Sequence, residues 1–377
     1  MTEEIFDWRS FLTRWSEEWA DANAEPTSEA ARARWLGFEP ASEEAVAAAE
    51  ERLGRRLPPS YREFLAVTDG WRHAGSFVSH LGGTREASWH EDSHGFSEYY
   101  GDGELDGMWE RALQLDVESD LTYVLLDPQA VDEHGEWAVY CHKVWAADVP
   151  TRYDSFRAFM LAQYREFHRL ASNERDGRPF VNDTTRRLDA RVEAARLDAL
   201  RGDHERAAAA LAEAVEYGRP RAKGMLDQLR RLLGQTYLVD YGALPADPRY
   251  LREVVPLLAV EQVRNRHDAT VWGYRVGASS GPHREQADDV LREVEERTFR
   301  YTTEGPFGAA VEQAREQARR GHTDAAWHTL LAGLPQWTPV GPDHLAPAGL
   351  LADPLLGPLI TPDRALALLA TPRDGQP

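Results

Sequence analysis

The sequence has very little cysteine and lysine, and it has no long apolar run. Its 377 residues include one cysteine, Cys141, and two lysines, Lys143 and Lys223. A single cysteine excludes an internal disulfide framework and a metal site built from several thiolates. No apolar stretch is long enough to cross a bilayer, and the N-terminal stretch MTEEIFDWRSFLTRWSEEWA is acidic and aromatic, the opposite of a signal peptide. We therefore expect a cytoplasmic protein that binds no membrane.

Familiar catalytic motifs are also missing. There is no Gly-x-Ser-x-Gly elbow and no phosphate-binding glycine loop. Cys141 alternates with aromatic residues in a predicted strand, which favours a buried, inert thiol over a nucleophile. The sequence therefore predicts a protein that is not an enzyme, with no catalytic residue and no cofactor.

Positive charge is scarce in one part of the chain. The formal net charge is −20, from 43 basic and 63 acidic residues. Residues 72–150 hold 16 of the acidic residues but only four of the basic ones, a balance of −12. Such a segment repels phosphate backbones, so we expect no nucleic-acid partner. It attracts a basic protein, chiefly by raising the association rate, although the alternative is an acidic surface that only aids solubility.

Aromatic residues recur at helical spacing near the N-terminus. Trp8, Phe11, Leu12, Trp15 and Trp19 follow one another every one to four residues and fall on one face, which predicts an amphipathic helix over residues 1–24. Such a stripe could grip a partner helix, but packing on its own domain is favoured. We assign residues 1–34 to this helix and a connector.

Helix start and stop signals are clearest in the stretch that ends in LPPSYREFLAVTDGW. Ser42 is expected to begin a helix, and Gly54 to end it in the left-handed conformation. The proline pair at 58–59 suits the first turn of a second helix, which an Asp-Gly dipeptide should end. Two short helices joined this closely predict a packed α-hairpin. Trp71 follows directly, and we interpret it mainly as a lid over the hairpin core and only secondarily as a partner contact.

The apolar period changes to that of strands after the hairpin. SFVSHL, LTYVLLDP and EWAVYCHKVW have the β-branched, aromatic or alternating pattern of strands, with a turn at DEHGE and Pro128 ending the middle one. The stretch YDSFRAFMLAQYREFHRL then returns to helical spacing. Helices, antiparallel strands and a closing helix together predict one α+β domain over residues 35–172.

The rest of the chain is predicted to be helical. A polar, turn-rich linker at 173–182 leads into residues 183–377, which we expect to form an all-α domain. ARLDALRGDHERAAAAL at 195–211 aligns without a gap with AREQARRGHTDAAWHTL at 314–330. This weak echo suggests a duplicated helical-hairpin module of the tetratricopeptide type, although alanine-rich helices also resemble one another by chance.

The stretch from Trp35 to Trp71 resembles the SUKH superfamily, which includes yeast cell-wall assembly regulators and many bacterial immunity proteins. The matching residues are WLGF at 35–38, EPASEEAVAAAEERLGRRLP at 39–58 and YREFLAVTDGW at 61–71. The later stretches YVLLDPQAVDEHGEW and YDSFRAFM match more loosely. This resemblance, over about residues 35–170, implies an α+β fold and a binding protein, often the cognate inhibitor of a secreted nuclease or deaminase toxin. It implies no catalytic residue and does not name the toxin.

An acidic and aromatic stretch at 82–107 is the main candidate binding surface. It is predicted as a long irregular loop, and loops of this length are usually either functional or disordered. Carboxylates that steer and rings that anchor are what an inhibitor of a basic enzyme needs, whereas the alternative is a mobile surface excursion. Together with Trp71, we predict partner contacts at Glu86, Trp89, Glu91, Asp92, Phe96, Tyr99, Tyr100, Asp102, Glu104 and Asp106.

Two alternatives to an immunity-type binding protein stay open. One is a regulatory scaffold that binds its partners through the C-terminal helices. The other is a metal-dependent hydrolase, because His90 and His94 would share a face if WHEDSHGF were helical. Gly95 interrupts such a helix at once, so we predict no metal site.

Overall fold

The computed structural model describes residues 6–22, 29–100, 103–146, 148–171, 180–235 and 241–373. The chain divides into two units, residues 1–182 and residues 183–377. Most of the predicted linker at 173–182 lies outside the described residues. Within the described residues, no helix combines the length and the apolar character needed to span a membrane.

The N-terminal unit combines α-helices with antiparallel strands, as predicted. Its helices are α1 (Trp8–Ala22), α2 (Glu29–Ala33), α3 (Glu43–Leu53), α4 (Pro59–Leu65), α5 (Phe96–Tyr100), α6 (Met108–Arg111) and α7 (Phe156–Ala171), with short 3-10 turns at Gly103–Leu105 and Val144–Ala146. Its strands are β1 (Trp71–Arg72), β2 (Val78–Leu81), β3 (Ser88–Trp89), β4 (Leu113–Gln114), β5 (Asp116–Ser119), β6 (Thr122–Val131), β7 (Trp137–Lys143) and β8 (Thr151–Tyr153).

The predicted α-hairpin is formed by α3 and α4. The Ser42 hydroxyl accepts a hydrogen bond from the backbone N–H of Ala45, which satisfies one of the unpaired donors at the start of α3. Gly54 ends α3 with a φ of 66°, a left-handed conformation that glycine adopts without steric penalty. In α4 the Ser60 hydroxyl donates to the Glu136 carboxylate, which ties the hairpin to the turn between β6 and β7.

The strands form two antiparallel sheets, one in the order β1-β2-β5 and one in the order β3-β4-β6-β7-β8. The chain changes sheets between β4 and β5. There the Asp116 carboxylate accepts the backbone N–H of Val124 at 2.6 Å, a donor that would otherwise need a strand partner. The prediction that Pro128 ends its strand was wrong, because β6 continues to Val131. A register irregularity after Asp127 makes room for a proline, which cannot donate to a regular ladder.

The main core of this unit is aromatic. Trp15 of α1 is fully buried, and its ring centroid lies 5.7 Å from that of Trp71 and 5.5 Å from that of Tyr164. Trp8 and Phe11, on the same face of α1, are also buried. The tryptophan stripe of α1 is therefore used to pack within its own unit, which leaves little of it for a partner helix.

The described part of the C-terminal unit is built from helices around a large apolar core. Two of its helical hairpins correspond to the sequence echo, and each turns at a glycine with positive φ, 97° at Gly202 and 82° at Gly321. Three matched apolar pairs of the echo are buried in both hairpins, Ala195/Ala314, Ala207/Ala326 and Leu211/Leu330, whereas in the fourth pair Ala199 is buried and Ala318 is only partly buried. The helices are α8 (Asp183–Leu200), α9 (His204–Glu216), α10 (Pro220–Leu232), α11 (Val255–Asn265), α12 (Ala269–Arg275), α13 (Pro282–Glu295), α14 (Gly305–Arg319), α15 (Thr323–Gly333) and α16 (Pro362–Ala370).

Candidate binding surface

A small aromatic layer covers one face of the five-stranded sheet. The strand register places Leu125 opposite Tyr140 on that face, and Tyr123 opposite His142. The short helices α5 and α6 pack over these residues, and the buried rings of Phe96 and Trp109 lie 5.0 Å apart between centroids. The acidic stretch predicted as an irregular loop is thus partly helical and is anchored to the sheet by its own apolar side chains.

Asp92 organises the start of α5. Its two carboxylate oxygens accept the backbone N–H groups of Phe96 at 2.7 Å and Ser97 at 2.9 Å. Partial burial opposes ionisation of this carboxyl, but the hydrogen bonds from Ser97 and Phe96 outweigh it and lower the pKa of Asp92. Because both oxygens are engaged by the backbone, Asp92 acts as the cap of α5 rather than as a freely available charge.

Arg111 holds the other end of this layer in place. Its guanidinium donates to both carboxylate oxygens of Asp127, at 2.7 and 2.6 Å, and to the backbone carbonyl of Asp106 at 2.6 Å. The Asp127 side chain is 1% exposed, whereas that of Arg111 is 23% exposed. The ion pair therefore ties the segment that leads into α6 to the buried strand β6 with a planar, two-bond geometry.

The two histidines of WHEDSHGF do not form a shared face. His90 is buried, and its Nδ1 lies 2.8 Å from Oε1 of Gln114, while the His94 ring is exposed and stacks on Phe96. The prolonged helix that would align them does not form, because α5 begins only at Phe96. Among the described residues, no group of three or more histidines, cysteines or carboxylates could hold a metal ion.

Gln114 links His90 to a perturbed carboxyl. The amide nitrogen of Gln114 donates to Asp116 at 2.9 Å. Burial raises the pKa of Asp116 to about 6, despite the hydrogen bonds that it accepts from Val124 and Gln114. This carboxyl lies where the chain changes sheets, so its hydrogen bonds have a structural purpose.

The structure sorts the predicted contact residues by exposure. Trp71 is fully buried between the rings of Trp15 and Trp35, so its secondary interpretation as a partner contact is corrected to that of a core residue. Phe96 is corrected in the same way, because it faces the sheet with 9% of its surface exposed. Asp102 lies outside the described residues. Trp89, Asp92 and Tyr100 are half-buried, and the exposed residues are Glu86, Glu91, Tyr99, Glu104 and Asp106.

Most of the exposed residues lie on the aromatic layer. Tyr99 projects from α5 with 77% of its surface exposed. Glu86 is separate from this group, because it sits beside His80, a residue of β2, and accepts the N–H of Gly83. We define the acidic surface as Tyr99 and the exposed carboxylates that follow β3 and continue through α5 and α6: Glu91, Glu98, Glu104, Asp106 and Glu110.

The acidic surface has no nearby compensating charge in sequence. Between Arg85 and Arg111 the chain contains neither arginine nor lysine, and Arg111 is already engaged by Asp127. Among the described residues, no ion pair involves any carboxylate of the acidic surface. Glu98 belongs to the acidic stretch predicted at 82–107, and Glu110 lies just beyond it; neither is among the predicted contacts, although the run of uncompensated acidic residues contains the signal for both.

Residues 40–162 match the model of the SMI1 / KNR4 family (SUKH-1), which is 123 of the 377 residues. The match includes the α3–α4 hairpin, both sheets and the acidic surface. The C-terminal helical unit lies outside it. No curated protein and no solved structure matches the chain. The similarity to this family is therefore confined to the N-terminal unit.

Proposed function

We propose that the N-terminal unit is a non-catalytic, immunity-type module that binds and neutralises a basic secreted toxin through the acidic surface. The observation that supports this most directly is the set of exposed, unneutralised carboxylates on an ordered layer within the region that matches the SUKH-1 family. A field of one sign accelerates encounter with an oppositely charged partner. A nuclease or deaminase that acts on nucleic acid needs a basic cleft, so its charge is complementary.

Order in the acidic surface supports tight binding as well as steering. The Asp92 cap and the Arg111–Asp127 pair fix the backbone of this layer before a partner arrives. A surface that is already ordered loses less conformational entropy on binding. Tyr99 is the exposed aromatic side chain best placed to act as an anchor, since tyrosine is enriched among residues that dominate binding energy.

A non-catalytic role is consistent with the state of the thiol. Cys141 lies within β7 and is 4% exposed. Burial raises the pKa of its thiol to about 12, which keeps it protonated and unreactive near neutral pH. A buried, protonated thiol fits a binding module better than an enzyme that uses a cysteine nucleophile.

Charge reversal tests the proposal. The full chain carrying Glu98→Lys and Glu104→Lys is compared with a control carrying Glu295→Lys and Glu296→Lys, two exposed residues at the end of α13 that make the same change in net charge. The partner used is a secreted toxin domain that a pull-down with the full chain identifies, and association is followed by stopped-flow fluorescence at low and high salt. We expect the first variant to associate about tenfold more slowly at low salt, and the control to change little. Equal association rates for both variants would remove the steering role.

A scaffold role for the C-terminal unit is a second candidate. On α12, Tyr274 is 88% exposed and Val271, one turn earlier, is 36% exposed. Exposed aromatic and aliphatic side chains at this spacing suit the docking of a partner helix. Tyr274→Ala should then weaken binding of a partner that the charge-reversal variant still binds normally.

A further inference from the structure

Phe77, Leu121 and Trp145 lie together at the end of β7, where Leu121 and Trp145 are exposed and Phe77 is half-buried. The rings of Phe77 and Trp145 lie 4.7 Å apart between centroids, and Trp145 is 50% exposed. Leu121 is 59% exposed. Backbone hydrogen bonds join the three segments, from Asp120 to the Phe77 carbonyl and from Val144 to the Leu121 carbonyl. We call these three residues the β7-end patch.

The backbone at Leu121 is unfavourable for leucine. Its φ is 45°, in the left-handed region that glycine and asparagine tolerate far better than a leucine does. The turn is held in this conformation from both sides, since the Thr122 hydroxyl donates to the Asp120 carbonyl and Val144 donates to Leu121. The leucine side chain contributes little burial in return, because most of it is exposed. A strained residue with an exposed apolar side chain indicates a role other than stability.

Charge around the patch favours one kind of partner. Glu118, Asp120 and Asp148 are exposed and close in sequence to the patch residues. Among the described residues, none of these three carboxylates takes part in an ion pair. Lys143 lies over the Phe77 ring, and its charge is neutralised by Glu166. An apolar centre with an uncompensated acidic rim is complementary to an apolar side chain next to arginine or lysine.

We propose that the β7-end patch is a docking site for a short protein segment that presents an apolar side chain beside one or more basic residues. Trp145 and Leu121 supply the apolar contact, and Asp120 supplies charge at the rim. This site is distinct from the acidic surface, and it does not depend on the identity of a toxin.

The test uses the full chain and a phage-displayed library of short random peptides as the probe. Peptides selected on the wild type are synthesised, and their dissociation constants are measured by fluorescence anisotropy against Leu121→Asn, Trp145→Ala and Asp120→Lys. Leu366→Asn is the matched control, because it removes a leucine that is 44% exposed on the other unit. We expect the selected peptides to combine apolar and basic residues, and each patch variant to bind them about tenfold or more weakly. The control should bind them as the wild type does.

The unfolding temperature of the Leu121 variants provides a second test, because these variants should lose peptide binding without losing stability. Leu121→Asn and Leu121→Gly should unfold at the same temperature as the wild type or at a higher one, because both residues accept the left-handed φ. A lower unfolding temperature for both would contradict the argument from strain. Peptides that bind the patch variants as tightly as the wild type, or a selection that enriches no apolar and basic peptide, would overturn the proposed site. Self-association that Leu121→Asn abolishes would show that the occupant is a second copy of the chain, and the proposed partner would be wrong.

Discussion

The Arg111–Asp127 pair offers the sharpest test of how the acidic surface is held in place. Arg111→Met removes both hydrogen bonds to a carboxylate that is 1% exposed, while the methionine keeps much of the apolar stem of the arginine. The backbone N–H of Gln129 still donates to Asp127 at 2.9 Å, but no cation remains beside it. Breaking a buried pair in this way costs about 3–5 kcal/mol in general.

A smaller value is expected here, because 23% of the Arg111 side chain is exposed and water can enter where it stood. We expect Arg111→Met to lower the free energy of unfolding by about 2–4 kcal/mol. Asp127→Asn leaves an arginine that can reach solvent, so it should cost only about 1–2 kcal/mol. The double variant should cost about 1–3 kcal/mol less than the sum of the two single variants, because the two residues interact directly.

Tryptophan fluorescence during urea unfolding suits this measurement, because nine of the twelve tryptophans lie in residues 1–182. Amide hydrogen exchange should also become faster at residues 103–112 in Arg111→Met, where the guanidinium no longer holds the Asp106 carbonyl. Additive costs for the two single substitutions, together with unchanged exchange, would refute the claim that this pair fixes the surface.

Three further predictions test other parts of the fold. Asp116→Asn removes a carboxyl whose pKa in the folded protein is raised to about 6, so folding favours its protonated form. The free energy of unfolding of the wild type relative to this variant should be highest below about pH 4 and should fall by up to about 3 kcal/mol as the pH rises through 6. Urea unfolding at each pH measures this difference. Gly202→Ala should destabilise the chain more than Gly321→Ala. Both glycines have positive φ, but only at position 202 would the new Cβ lie 2.3 Å from a carbonyl oxygen, that of Ala370. Equal unfolding temperatures for the two variants would contradict this expectation. Arg373→Met should lower the free energy of unfolding by roughly 3–5 kcal/mol, because this fully buried guanidinium donates to five backbone carbonyls that would lose their partner. Thermal unfolding measures the change. A decrease in unfolding temperature no larger than that of an exposed arginine variant would show that these carbonyls find other donors.

Local signals in the sequence predicted both ends of α3 and the proline-led start of α4, whereas α4 ends at Leu65, before the Asp-Gly dipeptide that was expected to end it. Ser42 and Gly54 act through hydrogen bonds and backbone conformation within a few residues, so their effect can be recognised without knowing the rest of the fold. The strands β6 and β7 could be recognised for the same reason, since alternation is a local property. The partition of strands into two sheets could not, because it depends on where Asp116 meets Val124 across the turn between β5 and β6.

Among the candidate binding residues, too, some features could be predicted from the local sequence and others depend on the tertiary structure. Charge composition was enough to indicate an acidic region, but it could not separate Phe96, which faces the sheet, from Tyr99, which faces solvent. The two residues are three positions apart on one short helix, and only the packing of α5 against Trp109 decides which ring is buried. The same holds for Trp71, whose neighbours Trp15 and Trp35 come from other parts of the chain.

By itself, the sequence determined the α+β character of the N-terminal unit, the helical character of the C-terminal unit and the excess of negative charge between residues 72 and 150. These follow from spacing, capping residues and composition, which are properties of neighbouring residues. Only the tertiary structure decided which carboxylates stay exposed, which rings anchor the surface and that Leu121 and Trp145 meet at one end of a sheet. Exposure and contact depend on long-range packing, because a side chain is buried only when a distant segment covers it.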